Sequence, residues 1–156
     1  MYRSGLCIAV RGSSSATGVY LLASSKRPVL REAVLVDFCE DEIAIEVLTE
    51  VHLRTHASSS AHSMRDKYRS AIYVHDEVME NRCRATIKTL QNQFEKPLLT
   101  QVLKIAGFRL SADRYREYYA SNPDRPFCTT YIEPKLDMLK REFCTYISPR
   151  KQSRPR

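Results

Sequence analysis

The sequence predicts an α+β fold: an N-terminal antiparallel β-sheet of three or four strands packed by helices from the C-terminal half. Two observations lead there. Three short apolar runs crowd the first 38 residues between Gly/Ser breakers, and a Gly/Pro-free stretch from Met64 to Glu95 carries apolar residues every three to four positions. A single domain over residues 1–147 with a basic flexible tail at 148–156 accommodates both.

Taken in order, "LCIAV" (Leu6–Val10) and "GVYLLA" (Gly18–Ala23) read as strands separated by the turn segment "RGSSSAT". "VLREAVLVDF" (Val29–Phe38) is a third β-rich run, and turn-length connections favour an antiparallel meander. In residues 42–54, Ile43, Ile45, Val47, Val51 and Leu53 alternate, while Ile43, Val47, Leu48 and Val51 also fall on one helical stripe; β-branched content favours a strand. Met64, Tyr68, Ile72, His75, Met79, Cys83, Ile87, Leu90 and Phe94 mark a long amphipathic helix, or two helices broken near Glu80 and Asn81. Pro97 suits a first turn and Gly107 a C-terminal cap, which predicts a helix over Leu98–Ala106. Ser111 starts a further helix through Tyr119, Phe127–Glu133 reads as a strand, and Lys135–Ile147 as a last helix.

Composition is that of a globular protein, with 43% hydrophobic and 28% charged residues, and no apolar run approaches membrane-spanning length. Five cysteines (Cys7, Cys39, Cys83, Cys128, Cys144) without a C-x-x-C pair read as free thiols, several of them buried, in a reducing compartment. A cytoplasmic location is expected, with nuclear entry through the basic tail as a further option.

The net charge of +7 is uneven. Residues 1–62 hold six Lys/Arg against seven Asp/Glu, whereas residues 63–156 hold nineteen against eleven. A one-sided excess attracts a polyanion, so the leading expectation is a non-catalytic accessory protein that binds nucleic acid, RNA rather than DNA, through backbone phosphates. A virus-encoded silencing suppressor or movement protein is the class of protein this suits. The residues expected at phosphates are Arg65, Arg69, Arg82, Arg84 and Lys88 on the long helix, Arg109, Arg114 and Arg116 beyond it, and Arg150, Lys151, Arg154 and Arg156 in the tail.

Three other readings stay open. "KIAGFRLSADRYREYY" (Lys104–Tyr119) has the parts of a helix-turn-helix, although a plain corner between packed helices explains it as well. Tyr115, Tyr118, Tyr119 and Tyr131 alongside arginines suit a protein-binding adaptor. Asp37 and Glu40 to Glu42 form an acidic cluster that a metal-dependent nuclease would need. Otherwise no cofactor motif, metal site or catalytic constellation stands out. His52, His56, His62 and His75 lack partners at motif spacing, and the serine clusters lack the glycines of a nucleophile elbow, so no enzyme is expected.

Overall fold

The computed structural model describes residues 7–12, 17–23, 29–60, 69–110 and 118–147. The chain forms two compact units, Met1–Tyr118 and Tyr119–Arg156.

The first unit is built on five strands: β1 (Cys7–Gly12), β2 (Thr17–Ala23), β3 (Val29–Phe38), β4 (Ala71–Val74) and β5 (Gln101–Leu110). They close into a barrel in the order β1-β3-β2-β5-β4. The barrel is mixed. β1 runs parallel to both neighbours, with Ile8 opposite Val34 of β3 and Ile72 of β4. β2 runs antiparallel to β3 and β5, and β4 parallel to β5 with Ile72 opposite Val102.

The first three strands lie where the apolar runs place them, but the expected N-terminal antiparallel sheet is not what forms. β1 pairs parallel to β3 rather than to its sequence neighbour, and two strands from the middle of the chain complete the barrel. Short connections make a meander economical only while no later strand competes for the edges. Here β4, buried at every residue, supplies an apolar partner on both faces.

Period-two alternation divides the core. Ile72 and Val74 of β4 face one way, joining Phe38, Ile45, Cys83 and Val102 beneath two helices. Ala71 and Tyr73 face the other way with Ala33, packed by Leu35, Leu103, Ile105 and Phe108. The covering helices are α1 (Ile45–Thr55) and α2 (Glu77–Leu90).

Three further expectations are corrected here. Residues 42–54 hold a helix, not a strand: the buried side of α1 is Ile45, Thr49, His52, Leu53 and Thr55, a helical stripe that apolar periodicity alone overlooks because three of its members are polar. The long helix expected from Met64 is interrupted by β4, and its start lies outside the described residues. No break falls near Glu80 and Asn81, which lie within α2; Asp76 caps its start, its carboxylate accepting from the Met79 N–H at 2.8 Å.

Leu98–Ala106 is not a helix either. Pro97 precedes an extended segment whose Leu99 N–H donates to the Ser58 carbonyl at 2.7 Å, and β5 follows. Gly107 sits within β5 opposite Leu22, beside an irregularity in the β2–β5 register, instead of capping a helix. With Lys104 to Leu110 in a strand, neither a helix-turn-helix nor an αα-corner exists there. Ladder hydrogen bonds and the burial of Val102 override the local helix signals.

The second unit is helical. It holds all but the first residue of α3 (Tyr118–Ser121), a π-helical turn over Cys128–Ile132 where a strand was expected, and α4 (Glu133–Glu142) with Pro134 in its first turn. A 3-10 turn over Cys144–Tyr146 follows, so the last helix is shorter than Lys135–Ile147. Among the described residues no helix is long and apolar enough to cross a membrane.

Candidate active site

Cysteine thiols carry nucleophilic and redox chemistry where they are exposed and ionisable. Cys83 on α2 is fully buried; the Thr49 hydroxyl donates to its Sγ at 3.5 Å, and burial pushes the thiol up from its ordinary range. A protonated, enclosed thiol is a packing group rather than a nucleophile. Cys128 of the second unit is also buried, its Sγ donating to the Asn122 carbonyl at 3.7 Å. Cys39 and Cys144 are exposed free thiols, one in each unit. Cys7 opens β1.

Cys39 stands at the start of a tightly held turn. Its carbonyl accepts from the N–H groups of Glu42 and Ile43, each at 3.0 Å, as the chain leaves β3 for α1. That turn is fastened to α2 by Arg82, which meets Glu40 through Nη1 and Nη2 at 3.0 Å each. The same guanidinium meets Glu46 of α1 through Nε at 2.7 Å and Nη2 at 2.8 Å. Arg82 therefore holds the Glu46 carboxyl below its usual range, and both glutamates hold Arg82 further protonated than an ordinary guanidinium.

A second polar group lies at the other end of α1. His52 is fully buried, and its Nε2 lies 3.0 Å from Ser70 Oγ, which lies 2.8 Å from Thr100 Oγ1. This chain of side chains joins α1 to the segments that lead into β4 and β5. The His52 ring stacks on His56, centroids 4.6 Å apart and planes 14° from parallel. The two histidines, unpartnered by sequence spacing, are thus each other's neighbours. Burial, and secondarily the charge of His56, depress His52 well below the ordinary histidine range.

Of the four basic residues expected at phosphates whose side chains are described, three are engaged within the fold. Arg82 is engaged as above, and Arg84 donates to Glu80 at 2.8 Å and to the Val102 carbonyl at 2.8 Å. Arg69 Nη1 donates to Gln101 at 3.3 Å, and Lys88 is exposed on α2. Arg109 belongs to β5. Arg65, Arg114, Arg116, Arg150, Lys151, Arg154 and Arg156 lie outside the described residues, as does Tyr115.

Arg84 and Lys88 do line a groove of about 350 Å3 with Ile87, Gln91, Thr100 and Val102. Most of its polar lining is committed inside the fold: Arg84 as above, Gln91 to Lys96 and Leu98, Thr100 to Ser70. The acidic cluster is likewise committed in part, Glu40 to Arg82, and among the described residues no group of three acids, histidines or cysteines is placed to hold a metal.

Comparison with known proteins places these thiols in context. The family model described as peptide methionine sulfoxide reductase matches residues 9–146. A peptide methionine sulfoxide reductase MsrA of Trichodesmium erythraeum is 28% identical over 123 residues, covering 75% of this chain and 70% of that protein. The protein of the same name from Psychrobacter arcticus is 28% identical over 120 residues, covering 74% and 69%. That of Acinetobacter baumannii strain AYE is 29% identical over 116 residues, covering 72% and 66%.

These matches overturn the expectation of a non-catalytic, RNA- or DNA-binding accessory protein of viral type, and with it the adaptor and nuclease alternatives. The relatives are enzymes, and nothing in the matches points to a nucleic-acid partner. Two of the side chains expected at phosphates, Arg82 and Arg84, each meet a carboxylate instead. Sequence inspection missed the family because no cysteine here stands in a motif of recognisable spacing; similarity along the whole chain is the signal that reveals it. The chain belongs to the peptide methionine sulfoxide reductase family.

Proposed function

We propose that this chain reduces methionine sulfoxide within a polypeptide. The observation that carries the reading is the extent of the family match, which spans residues 9–146 and so runs through both compact units. The chemistry is thiol chemistry. A thiolate sulfur attacks the sulfoxide sulfur, the S–O bond breaks, and the oxygen leaves as water with two protons. A second thiol then closes a disulfide. The methionine sulfur gains two electrons and two thiols lose one each.

Four cysteines fall in the matched span, and Cys39 and Cys144 are the two that solvent reaches. Attack therefore comes from one of these exposed thiols, with a small dithiol as the external reductant that restores it. Cys83 and Cys128 are enclosed and serve packing.

The test is reduction of a peptide carrying one methionine sulfoxide, followed by mass spectrometry in the presence of excess dithiothreitol. Product is expected to accumulate catalytically and to be lost in whichever of Cys39→Ser and Cys144→Ser removes the attacking thiol, while Cys83→Ala retains turnover. Wild-type protein that yields no more of the reduced, methionine-containing peptide than the dithiol-only control overturns the reading.

A further inference from the structure

We propose that the histidine pair at the C-terminal end of α1, His52 in its last turn and His56 at its C-cap, is an acid-opened clasp: protonation of His52 frees this end of the helix from the segments leading into β4 and β5. The proposal does not rest on the catalytic reading above.

The geometry carries it. His52 ties α1 to both segments, meeting Ser70, which in turn meets Thr100. Its other ring nitrogen, Nδ1, is buried without a hydrogen-bond partner. In the neutral ring that nitrogen is a bare acceptor and Nε2–H donates to Ser70, a tolerable arrangement. Protonation turns Nδ1 into a buried N–H donor with no protein acceptor to receive it, and adds a charge at a fully buried position.

His56 makes this worse rather than better. Its Nδ1 lies 3.1 Å from the His52 carbonyl, which only accepts, so Nδ1 carries the proton. The Thr55 hydroxyl donates to the Val51 carbonyl at 2.7 Å and offers its lone pair to the same His56 nitrogen at 2.9 Å. The His56 ring is thereby held in its stack against His52, and a charge on it has the same sign as one on His52.

Among the described residues, the carboxylates of Glu46, Glu50 and Glu80 on the elements around it are engaged elsewhere. On α1, Glu46 is engaged by Arg82 and Glu50 by Arg54 at 2.6 Å. On α2, Glu80 is engaged by Arg84, and Cys83 meets α1 at Thr49. The segment before β4 presents Arg69, bonded to Gln101, and β5 carries Lys104, exposed.

The sign follows from linkage. The depressed ring belongs to the closed state, so the open state binds the extra proton. Closure is complete above the ordinary histidine range, near pH ~6.5, and weakens as pH falls below it. One proton gives about a tenfold change in the opening equilibrium per pH unit.

The experiment is amide hydrogen exchange of the full chain between pH 7.5 and 5.0, corrected for intrinsic exchange, reading the amides of residues 52–56. In the wild type their opening should rise about tenfold per unit below pH ~6.5. His52→Gln keeps a polar partner for Ser70 but cannot titrate, and its opening should be flat with pH. His56→Gln should retain the slope. Equal slopes in wild type and His52→Gln, or a slope abolished only by His56→Gln, overturn the proposal. Should His52→Gln fail to fold, NMR titration of the wild-type ring decides: a His52 that titrates near pH ~6.5 with these amides still protected refutes the clasp, and one that titrates only as protection is lost supports it.

Discussion

Removing the Arg82 guanidinium tests how the turn carrying Cys39 is held. Arg82 makes four hydrogen bonds at 2.7–3.0 Å, two to Glu40 and two to Glu46, and thereby joins three segments: the turn after β3, α1 and α2. Side-chain exposures of 36% for Arg82, 42% for Glu40 and 43% for Glu46 mean that solvent screens both pairs. Exposed pairs contribute about 0.2–1 kcal/mol each, and the two-pronged geometry puts these toward the upper end. Arg82→Met, which keeps much of the stem's packing, should therefore cost about 1 kcal/mol in all after screening. With a urea m-value of about 2 kcal/mol/M, that lowers the midpoint by about 0.5 M. The assay is urea unfolding of the cycle Arg82→Met, Glu46→Gln and the double variant, at low and high salt. Because Arg82 depresses the Glu46 carboxyl, the coupling should be complete above the ordinary glutamate range, near pH ~4.3, and fade as pH falls through it. A coupling energy indistinguishable from zero at low salt, or one that survives full protonation of Glu46, would refute this account of the turn.

Other outcomes follow from the same packing. Leu53→Ala, at a fully buried position on α1, should destabilise the first unit by about 2–5 kcal/mol in the same unfolding assay. Asp76→Ala removes the N-cap of α2 and should cost about 1 kcal/mol, whereas Asp76→Ser should recover most of it. Alkylation of the native protein at neutral pH should label Cys39 and Cys144 quickly and leave Cys83 unmodified until denaturant is added, as peptide mass mapping can read.

How much of this was legible beforehand varies by element. β1, β2 and β3 were readable because Ile8, Val19 and Val34 belong to short β-branched runs between small-residue breakers. Their pairing was not, because register and direction depend on β4 and β5, some forty to ninety residues further along the chain. α1 was misread because Thr49, His52 and Thr55 occupy its buried side. β5 was misread because Pro97 and Gly107 punctuate it as they would a helix. The candidate thiols were visible as residues, yet their exposure was not: Cys83 and Cys39 look alike in sequence, and only the helix over one and the turn beneath the other separate them. Arg82 pointed elsewhere because Glu40 and Glu46, 42 and 36 positions away, meet it only after folding.

β1 has a consequence for assembly. It is inserted between β3 and β4, parallel to each, so it is the staple that shuts the ring. Shutting it demands contact with residues more than sixty positions away, which places this step late and makes folding slow relative to a hairpin-built sheet. Until then β3 and β4 each present an open ladder of N–H and C=O groups, the template on which a second chain adds. Protein shortened past Gly12 would meet that hazard permanently, and self-association, more than loss of any thiol, would be its first symptom.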